Sequence, residues 1–191
     1  ERKQAEEKLQ DSEEQLQLAQ QIGHAGSWSY NLETGKIWGS AEGFRIYGFP
    51  PIAGDFSLFD IEACIPERER VHQALVDLIN EGREYDLECV INPADGSPSK
   101  IIHSIARLEK DAQGKPFKVM GFVQDITDRK RMEDELKLSE ARLTEAQAVS
   151  KVGSWETDLS TLKVIWSKET YRIFEIDPES FQSSHPGFLE F

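Results

Sequence analysis

The spacing of apolar residues along the chain separates helical stretches from extended ones. In residues 1–22, small and apolar side chains recur at alternating intervals of four and three, which predicts one amphipathic helix. Residues 68–82 have helical periodicity too and end at Gly82, a natural stop for a helix. From residue 84 onward the period changes to two. This alternation predicts three strands, at 84–91, 101–108 and 117–126.

The stretch between the two predicted helices has mixed patterns. SWSYNL at 27–32 predicts a strand, and KIW at 36–38 begins the return strand after a turn. AEGFRIYGF at 41–49 predicts a short helix that Pro50-Pro51 ends, and residues 52–66 predict short turns. Two strands, short helices, one longer helix and three meandering strands predict an α+β domain with an antiparallel sheet. Spacing alone does not give the order of the five strands.

The chain contains an internal repeat with an offset of 127 residues. Residues 1–3 (ERK) return as 128–130 (DRK), and GSW at 26–28 returns as GSW at 153–155. The repeated unit is a helix followed by a domain. It predicts a signalling helix at 1–22, a complete domain at 23–127, a connecting helix at 128–150 and the truncated start of a second domain at 151–191.

Two details of the repeat shape the expectations for the second copy. Trp38 and Trp166 are read as counterparts that sit one residue out of step with the offset. The second copy has no counterpart of about residues 65–125, so we expect the chain to be a fragment of a longer tandem protein. A half-domain of this size does not bury its own core.

Both long helices carry a seam of apolar residues that is typical of a short coiled coil. Its large members are Leu9, Leu16, Met132, Leu136 and Leu143. A seam that faced water would expose apolar surface, so we expect a homodimer that forms through these residues. The alternative is a helix that lies on its own domain.

A strand passes into a helix without a loop at residues 125–128. The strand pattern lasts to Ile126, and good helix formers follow Asp128. The short acceptors Asp125, Thr127 and Asp128 can bond the free N–H groups at a helix start. We expect these three residues to couple movement of the strand to the helix.

Composition narrows the possible partners. The net charge of -13 comes from 35 acidic and 22 basic residues, which argues against binding to nucleic acid or to an anionic membrane surface. No apolar run approaches the length of a membrane span. Cys64 and Cys89 are too few for a metal cluster and indicate a reducing compartment, so we expect a cytoplasmic location, with any membrane attachment elsewhere in the parent protein. The four histidines lack the spacing of metal ligands, and no metal site is predicted.

Four strings of the sequence resemble a PAS domain with its C-terminal PAC motif. They are GSWSYNLETGKIW, RERVHQALVDLINEG, NPADGS and GFVQDITDRKRMEDEL. The resemblance covers residues 20–130 and, as a truncated second copy, 147–191, and it is to the subgroup found in tandem in sensor proteins. It implies a five-stranded antiparallel sheet with short helices on one face, a possible ligand cavity between them, and signalling helices on the other face. In this family Asp125 and Thr127 fix the last strand to the outgoing helix.

The chain departs from the cofactor-binding PAS subgroups at specific positions. IPER at 65–68 replaces the family's His-Pro-Asp-Asp-Arg. The reactive-cysteine motif of the flavin-binding subgroup is absent, and its flavin-contacting glutamine falls at Val123 instead of Gln124. The axial histidine of the haem subgroup falls at Val71, one position before His72, and one residue turns a helical side chain by about 100°. We expect neither haem nor covalently bound flavin, and the cofactor stays unknown.

No catalytic set is predicted, and two functions remain open. The first is a sensory or relay module of a sensor histidine kinase, or of a diguanylate cyclase, that acts on the output domain of its own polypeptide. The second is a dimerisation spacer whose cavity is filled by its own aromatic side chains. The size of the cavity separates the two. A small-molecule ligand would lie between sheet and helices, near Trp28, Tyr47, Leu75, Leu87, Cys89 and Val123.

Overall fold

The computed structural model describes residues 2–50, 56–161 and 163–178, apart from the side chains of residues 2, 4–7 and 9. The chain divides into two compact units, Glu1–Lys130 and Arg131–Phe191.

In the described part of the first unit there are four helices and six strands. They are α1 (Arg2–Ile22), β1 (Ala25–Asn31), β2 (Lys36–Gly39), α2 (Ala41–Ile46), β3 (Phe56–Ser57), α3 (Leu58–Glu62), α4 (Arg68–Glu81), β4 (Tyr85–Ile91), β5 (Lys100–Lys110) and β6 (Pro116–Asp125). Helix α5 (Thr127–Ser150) begins in the first unit and continues into the second. Among the described residues, no helix combines the length and the apolar character that crossing a membrane requires.

The six strands form one antiparallel sheet in the order β3-β2-β1-β6-β5-β4. The resemblance implied five strands, so β3 is a correction. Phe56 pairs with Ile37 of β2, and its ring packs on Phe44 and Phe49 at centroid distances of 4.6 and 4.8 Å. These aromatic contacts hold residue 56 against the sheet edge, where a two-residue strand forms that no period-two pattern could reveal.

The core lies between the inner face of the sheet and the short helices. Alternate positions of β4, β5 and β6 point inward, and Ile91, Ile102, Val119 and Val123 are almost completely buried. Helices α2 and α4 cover this face. The α+β class and the placement of short helices on one face of the sheet agree with the expectation from the sequence.

Helix α4 shows how the local pattern positions the core. Val71, Leu75 and Leu78 lie on one stripe and are buried in the core. Gly82 ends the helix with a left-handed φ of 68°, and its N–H bonds the Leu78 carbonyl at 3.1 Å. The prediction of a helix over 68–82 is confirmed to within one residue.

The second unit contains a hairpin and a short helix after α5. They are β7 (Trp155–Asp158), β8 (Lys163–Trp166) and α6 (Lys168–Ile173). Strand pairing keeps the 127-residue offset: Trp28 pairs with Gly39 in β1–β2, and Trp155 pairs with Trp166 in β7–β8. The counterpart of Trp38 in the second unit is therefore Ile165. The prediction from the sequence that Trp166 is this counterpart was wrong.

Candidate functional site

Residues Asp125 to Thr127 join the last strand to α5 by side-chain hydrogen bonds. The Asp125 carboxylate accepts from the Thr127 backbone N–H at 3.0 Å and from the Thr127 hydroxyl at 2.5 Å. The same hydroxyl oxygen accepts from the Ile101 N–H of β5 at 2.9 Å. Thr127 thus connects β6, β5 and the start of α5 through a single side chain. We call this set, Asp125, Thr127 and Ile101, the exit junction.

The backbone reinforces the exit junction. The Ile126 N–H donates to the Ile101 carbonyl at 2.9 Å, and the Ile126 side chain is buried. Asp128 lies in the first turn of α5 with an exposed side chain, where the helix dipole stabilises its negative charge. Of the three residues predicted to couple strand and helix, Asp125 and Thr127 carry the network described above.

Glu88 of β4 forms a second attachment of α5 that the sequence did not indicate. Its carboxylate lies 2.7 Å from the Lys130 ammonium and 3.6 Å from the Arg129 guanidinium. The hydrogen bond from Lys130, together with the charges of Lys130 and Arg129, lowers the pKa of Glu88 below its ordinary value. In the sequence, the only indication of this attachment is the pair of cations in the first turn of α5. Their acidic partner, Glu88, lies about 40 residues upstream on another element.

A cavity of about 60 Å³ lies between the sheet and helices α2 to α4. Four of the residues predicted to surround a ligand line it: Trp28, Tyr47, Leu75 and Val123. Leu87 and Cys89 lie outside this lining and pack elsewhere in the core, because β4 is an edge strand and the cavity reaches only its first residue, Tyr85.

The cavity is small for a ligand site. One water needs roughly 10–15 Å³, whereas pockets for drug-sized molecules and cofactors start at about 300 Å³. The 60 Å³ available holds a few waters or one very small molecule. A core filled by its own side chains leaves a void of this size, so the observed volume favours that alternative over a large bound cofactor.

The polar groups around the cavity are uncharged or paired. Burial raises the pKa of Tyr85 to about 12 and raises that of Tyr47 well above its ordinary value, so both phenols keep their protons. Ser104 donates to the Phe122 carbonyl at 3.3 Å. Glu62, at the rim, lies 2.6 Å from Nδ1 of His72. An apolar, uncharged interior excludes anionic ligands.

In two pairs of consecutive residues, the two side chains of the pair point in opposite directions. Val123 faces the cavity, while the amide of Gln124 donates to the Gly23 carbonyl at 3.0 Å on the other side of β6. Val71 is buried in the core, while His72 is half exposed beside Glu62. The residues that could contact a flavin or ligate a haem iron therefore face away from the core. Within the described ranges, no three His, Cys, Asp or Glu side chains come together as metal ligands.

The predicted dimer seam is exposed wherever its side chains are described. Leu16, Met132, Leu136 and Leu143 expose between 58% and 65% of their surface. The side chain of Leu9 lies outside the described part of the chain.

The chain is similar in part to bacterial sensor proteins. No family model matches the sequence. Blue-light-activated histidine kinases of Brucella ovis and Brucella abortus are 31% identical over 127 residues, which is 64% of this chain and 24% of theirs. The chain thus spans about a quarter of the length of these curated relatives.

Solved structures share the fold. A sensory box histidine kinase/response regulator from Burkholderia thailandensis is 28% identical, with a TM-score of 0.53, over 68% of this chain and 98% of that one. The N-terminal domain of a diguanylate cyclase with a PAS/PAC sensor from Marinobacter aquaeolei is 21% identical, with a TM-score of 0.50, over 56% and 98%.

Proposed function

We propose that the chain is a PAS sensor domain, and that it is a sensory or relay module that acts on the output domain of its own polypeptide. One observation carries the proposal. Strand β6 lines the cavity with Val123 and, two residues later, binds the start of α5 through Asp125. A change in the core therefore has a direct covalent and hydrogen-bonded route to the outgoing helix.

A sensor histidine kinase is the parent protein that we propose. The Brucella relatives and the Burkholderia structure are both named as histidine kinases, and the Burkholderia domain is similar in sequence as well as in fold. A diguanylate cyclase is the alternative, because the Marinobacter domain shares the fold alone. In either case the chain itself modulates the output enzyme and does not perform its reaction.

The relay role is favoured over a role in light sensing. The Brucella relatives are described as activated by blue light. In this chain the position facing the core is Val123, which has no amide for a flavin, and the cavity of about 60 Å³ is far smaller than a flavin needs. A ligand, if one binds, is small and uncharged. The pure dimerisation spacer remains the second candidate, supported by the same small volume.

We further propose that the module works as a homodimer in the cytoplasm. The exposed leucines of α1 and α5 supply a self-complementary seam that a second copy would cover. The cysteines are free and buried, which suits a reducing compartment.

Native mass spectrometry tests the ligand question. The purified chain is measured under native and denaturing conditions, and the difference gives the mass of any bound molecule. A relay module with the observed cavity gives no difference larger than a few waters. A retained mass of several hundred daltons would contradict the relay assignment and favour a cofactor-based sensor.

Regulation of the full-length parent tests the coupling. Thr127→Val removes the hydroxyl that joins three elements, and we expect output activity to stop responding to the signal. Thr144→Val is the matched control, because its hydroxyl bonds only the Glu140 carbonyl on the exposed surface of the same helix. Normal regulation in the Thr127 variant would leave the spacer role as the better account.

A further inference from the structure

The last turn of α1 is bonded to the domain that follows it. Nε2 of Gln20 donates to the Ser27 hydroxyl at 3.3 Å, which connects α1 to β1. The Ser27 N–H donates to the Ser40 hydroxyl at 3.1 Å. Ser40 caps α2 by accepting from the Gly43 N–H at 3.3 Å. One chain of hydrogen bonds thus joins α1, β1 and α2.

A buried carboxylate lies beside this chain of hydrogen bonds. The Glu42 side chain is only 7% exposed and pairs with Arg45 on the same helix. Nδ1 of His24 lies 3.8 Å from its Oε1. His24 occupies the connection between α1 and β1 with a left-handed φ of 47°. A carboxylate this well buried is retained only where partners offset its loss of hydration.

The second unit repeats the hydrogen bonds at the offset of 127 residues. Nε2 of Gln147 donates to the Ser154 hydroxyl at 2.8 Å. The Ser154 N–H donates to the Ser167 hydroxyl at 3.0 Å, and Ser167 accepts from the Thr170 N–H at 3.3 Å. Here the last turn of α5 takes the place that α1 has in the first unit.

The second unit also repeats the buried carboxylate. Glu169 is 5% exposed, and Arg172 donates to both of its oxygens at 2.6 and 2.8 Å. Lys151 stands where the first unit has His24 and has the same left-handed backbone, with φ of 54°. Hydrogen bonding from Arg172, with the charges of Arg172 and Lys151, lowers the pKa of Glu169.

In the first unit this arrangement continues into the exit junction. The His24 carbonyl accepts from the Asp125 N–H at 2.9 Å, and the Gly23 carbonyl accepts from Gln124 at 3.0 Å. The end of α1 and the start of α5 are therefore connected through two residues of β6, without passing through the cavity.

We call this set the input joint; it consists of Gln20, His24, Ser27, Ser40, Glu42 and Arg45, with its repeat in the second unit. We propose that the input joint fixes the direction of each incoming helix. In the first unit it also passes the movement of α1 directly to the exit junction. The chain keeps the glutamine, both serines, the glutamate and the arginine in both copies, while the neighbouring Gly43 becomes Thr170. The inference deepens the relay role proposed above, because it gives the module an input that requires no ligand.

Amide hydrogen exchange on the whole chain tests the input joint. Gln20→Ala removes the first hydrogen bond without leaving a buried charge, and Gln17→Ala is the control, an exposed glutamine on the same helix. We expect exchange of the Gly23 and Asp125 N–H groups to become about tenfold faster in the Gln20 variant, with the control unchanged.

A second variant and a second readout keep the test decisive. Glu42→Gln removes the buried charge, and spin labels at positions 11 and 84 report the direction of α1; the native cysteines are buried. A broadened distance distribution in both variants supports the input joint. If both variants keep the distance distribution and the amide exchange rates of the wild type, the input joint is overturned. It is also overturned if exchange becomes faster to the same extent throughout β4 and β5, because that marks a general loss of stability. Thr127 variants test the exit junction separately, so the two proposals can fail independently.

Discussion

Thr127 shows how much one side chain contributes at the exit junction. Its hydroxyl donates to Asp125 and accepts from the Ile101 N–H, so it satisfies a strand N–H and anchors the helix start at once. A residue of the same shape without the hydroxyl leaves the Ile101 N–H without this acceptor and leaves Asp125 with the Thr127 N–H alone.

Replacing Thr127 by Val should lower the free energy of unfolding by about 1–2 kcal/mol, the usual cost of losing a cap and leaving a polar group unpaired. Urea denaturation of the chain measures this. Thr144→Val, on the exposed face of α5, should stay within about 0.5 kcal/mol of the wild type. Equal effects of the two substitutions would remove the special role of Thr127.

The attachment of α5 to β4 through Glu88 depends on pH. Its pKa is lowered in the folded state from an ordinary value of 4.5, first of all by the Lys130 hydrogen bond. A carboxylate with a lowered folded pKa stabilises the protein above its unfolded pKa, and the contribution is lost as the pH falls through the folded pKa. The stability difference between wild type and Glu88→Gln should therefore be present at neutral pH and shrink below about pH 4.5.

Urea unfolding across this range measures the effect. Glu84→Gln, exposed just before β4, is the matched control and should show no such dependence. If the stability difference between wild type and Glu88→Gln grew on acidification, its sign would contradict a stabilising ion pair at Glu88.

At the scale of elements, the period-two pattern predicted strands β4, β5 and β6, and the helical stripe predicted α4. Strand order could not be predicted, because spacing along the chain carries no information on which strands meet across it. Strand β3 depends on ring contacts of Phe56 with residues from α2 and the segment after it. Glu88 was missed for the same reason, since its partners lie on another element.

The cavity predicts an asymmetry between two valines of β6. Val123 lines the cavity, whereas Val119 is fully buried away from it. Val123→Ile adds a methyl group where space exists, so the free energy of unfolding should be unchanged or higher. Val119→Ile overpacks the core and should cost about 1–3 kcal/mol. Thermal or urea unfolding of the two variants compares them directly, and equal destabilisation would mean that no usable cavity exists.

For the whole molecule, the repeat in the sequence predicted a helix followed by a domain, used twice. The structure shows that the correspondence extends to side-chain bonds, including Gln20 with Gln147 and Glu42 with Glu169. These polar matches were not singled out in the sequence, because a surface glutamine and a helical glutamate look like ordinary solvated residues. Only the fold reveals that the glutamate is buried and that the glutamine reaches the first strand.

The apolar seam leads to a prediction about assembly. Sedimentation at high micromolar concentration should show a species of twice the 21.7 kDa of one chain, because the exposed leucines of α5 gain from mutual burial. Lysines at Leu136 and Leu143 should produce the monomer. Leu138→Lys is the control, an exposed leucine of the same helix off the seam. A monomeric wild type, or dissociation caused equally by the control, would contradict the seam.

Amide hydrogen exchange at Ile101 and Lys130 in the wild type and in Thr127→Val tests the coupling of domain and helix most directly. The Ile101 N–H loses its acceptor in the variant, and the Lys130 N–H, which bonds the Ile126 carbonyl at 3.0 Å, reports the first turn of α5. The coupling predicts faster exchange at both amides, with the centre of β6 unchanged. Faster exchange at Ile101 with an unaltered Lys130 would show that the helix start does not depend on the strand, and would contradict the account.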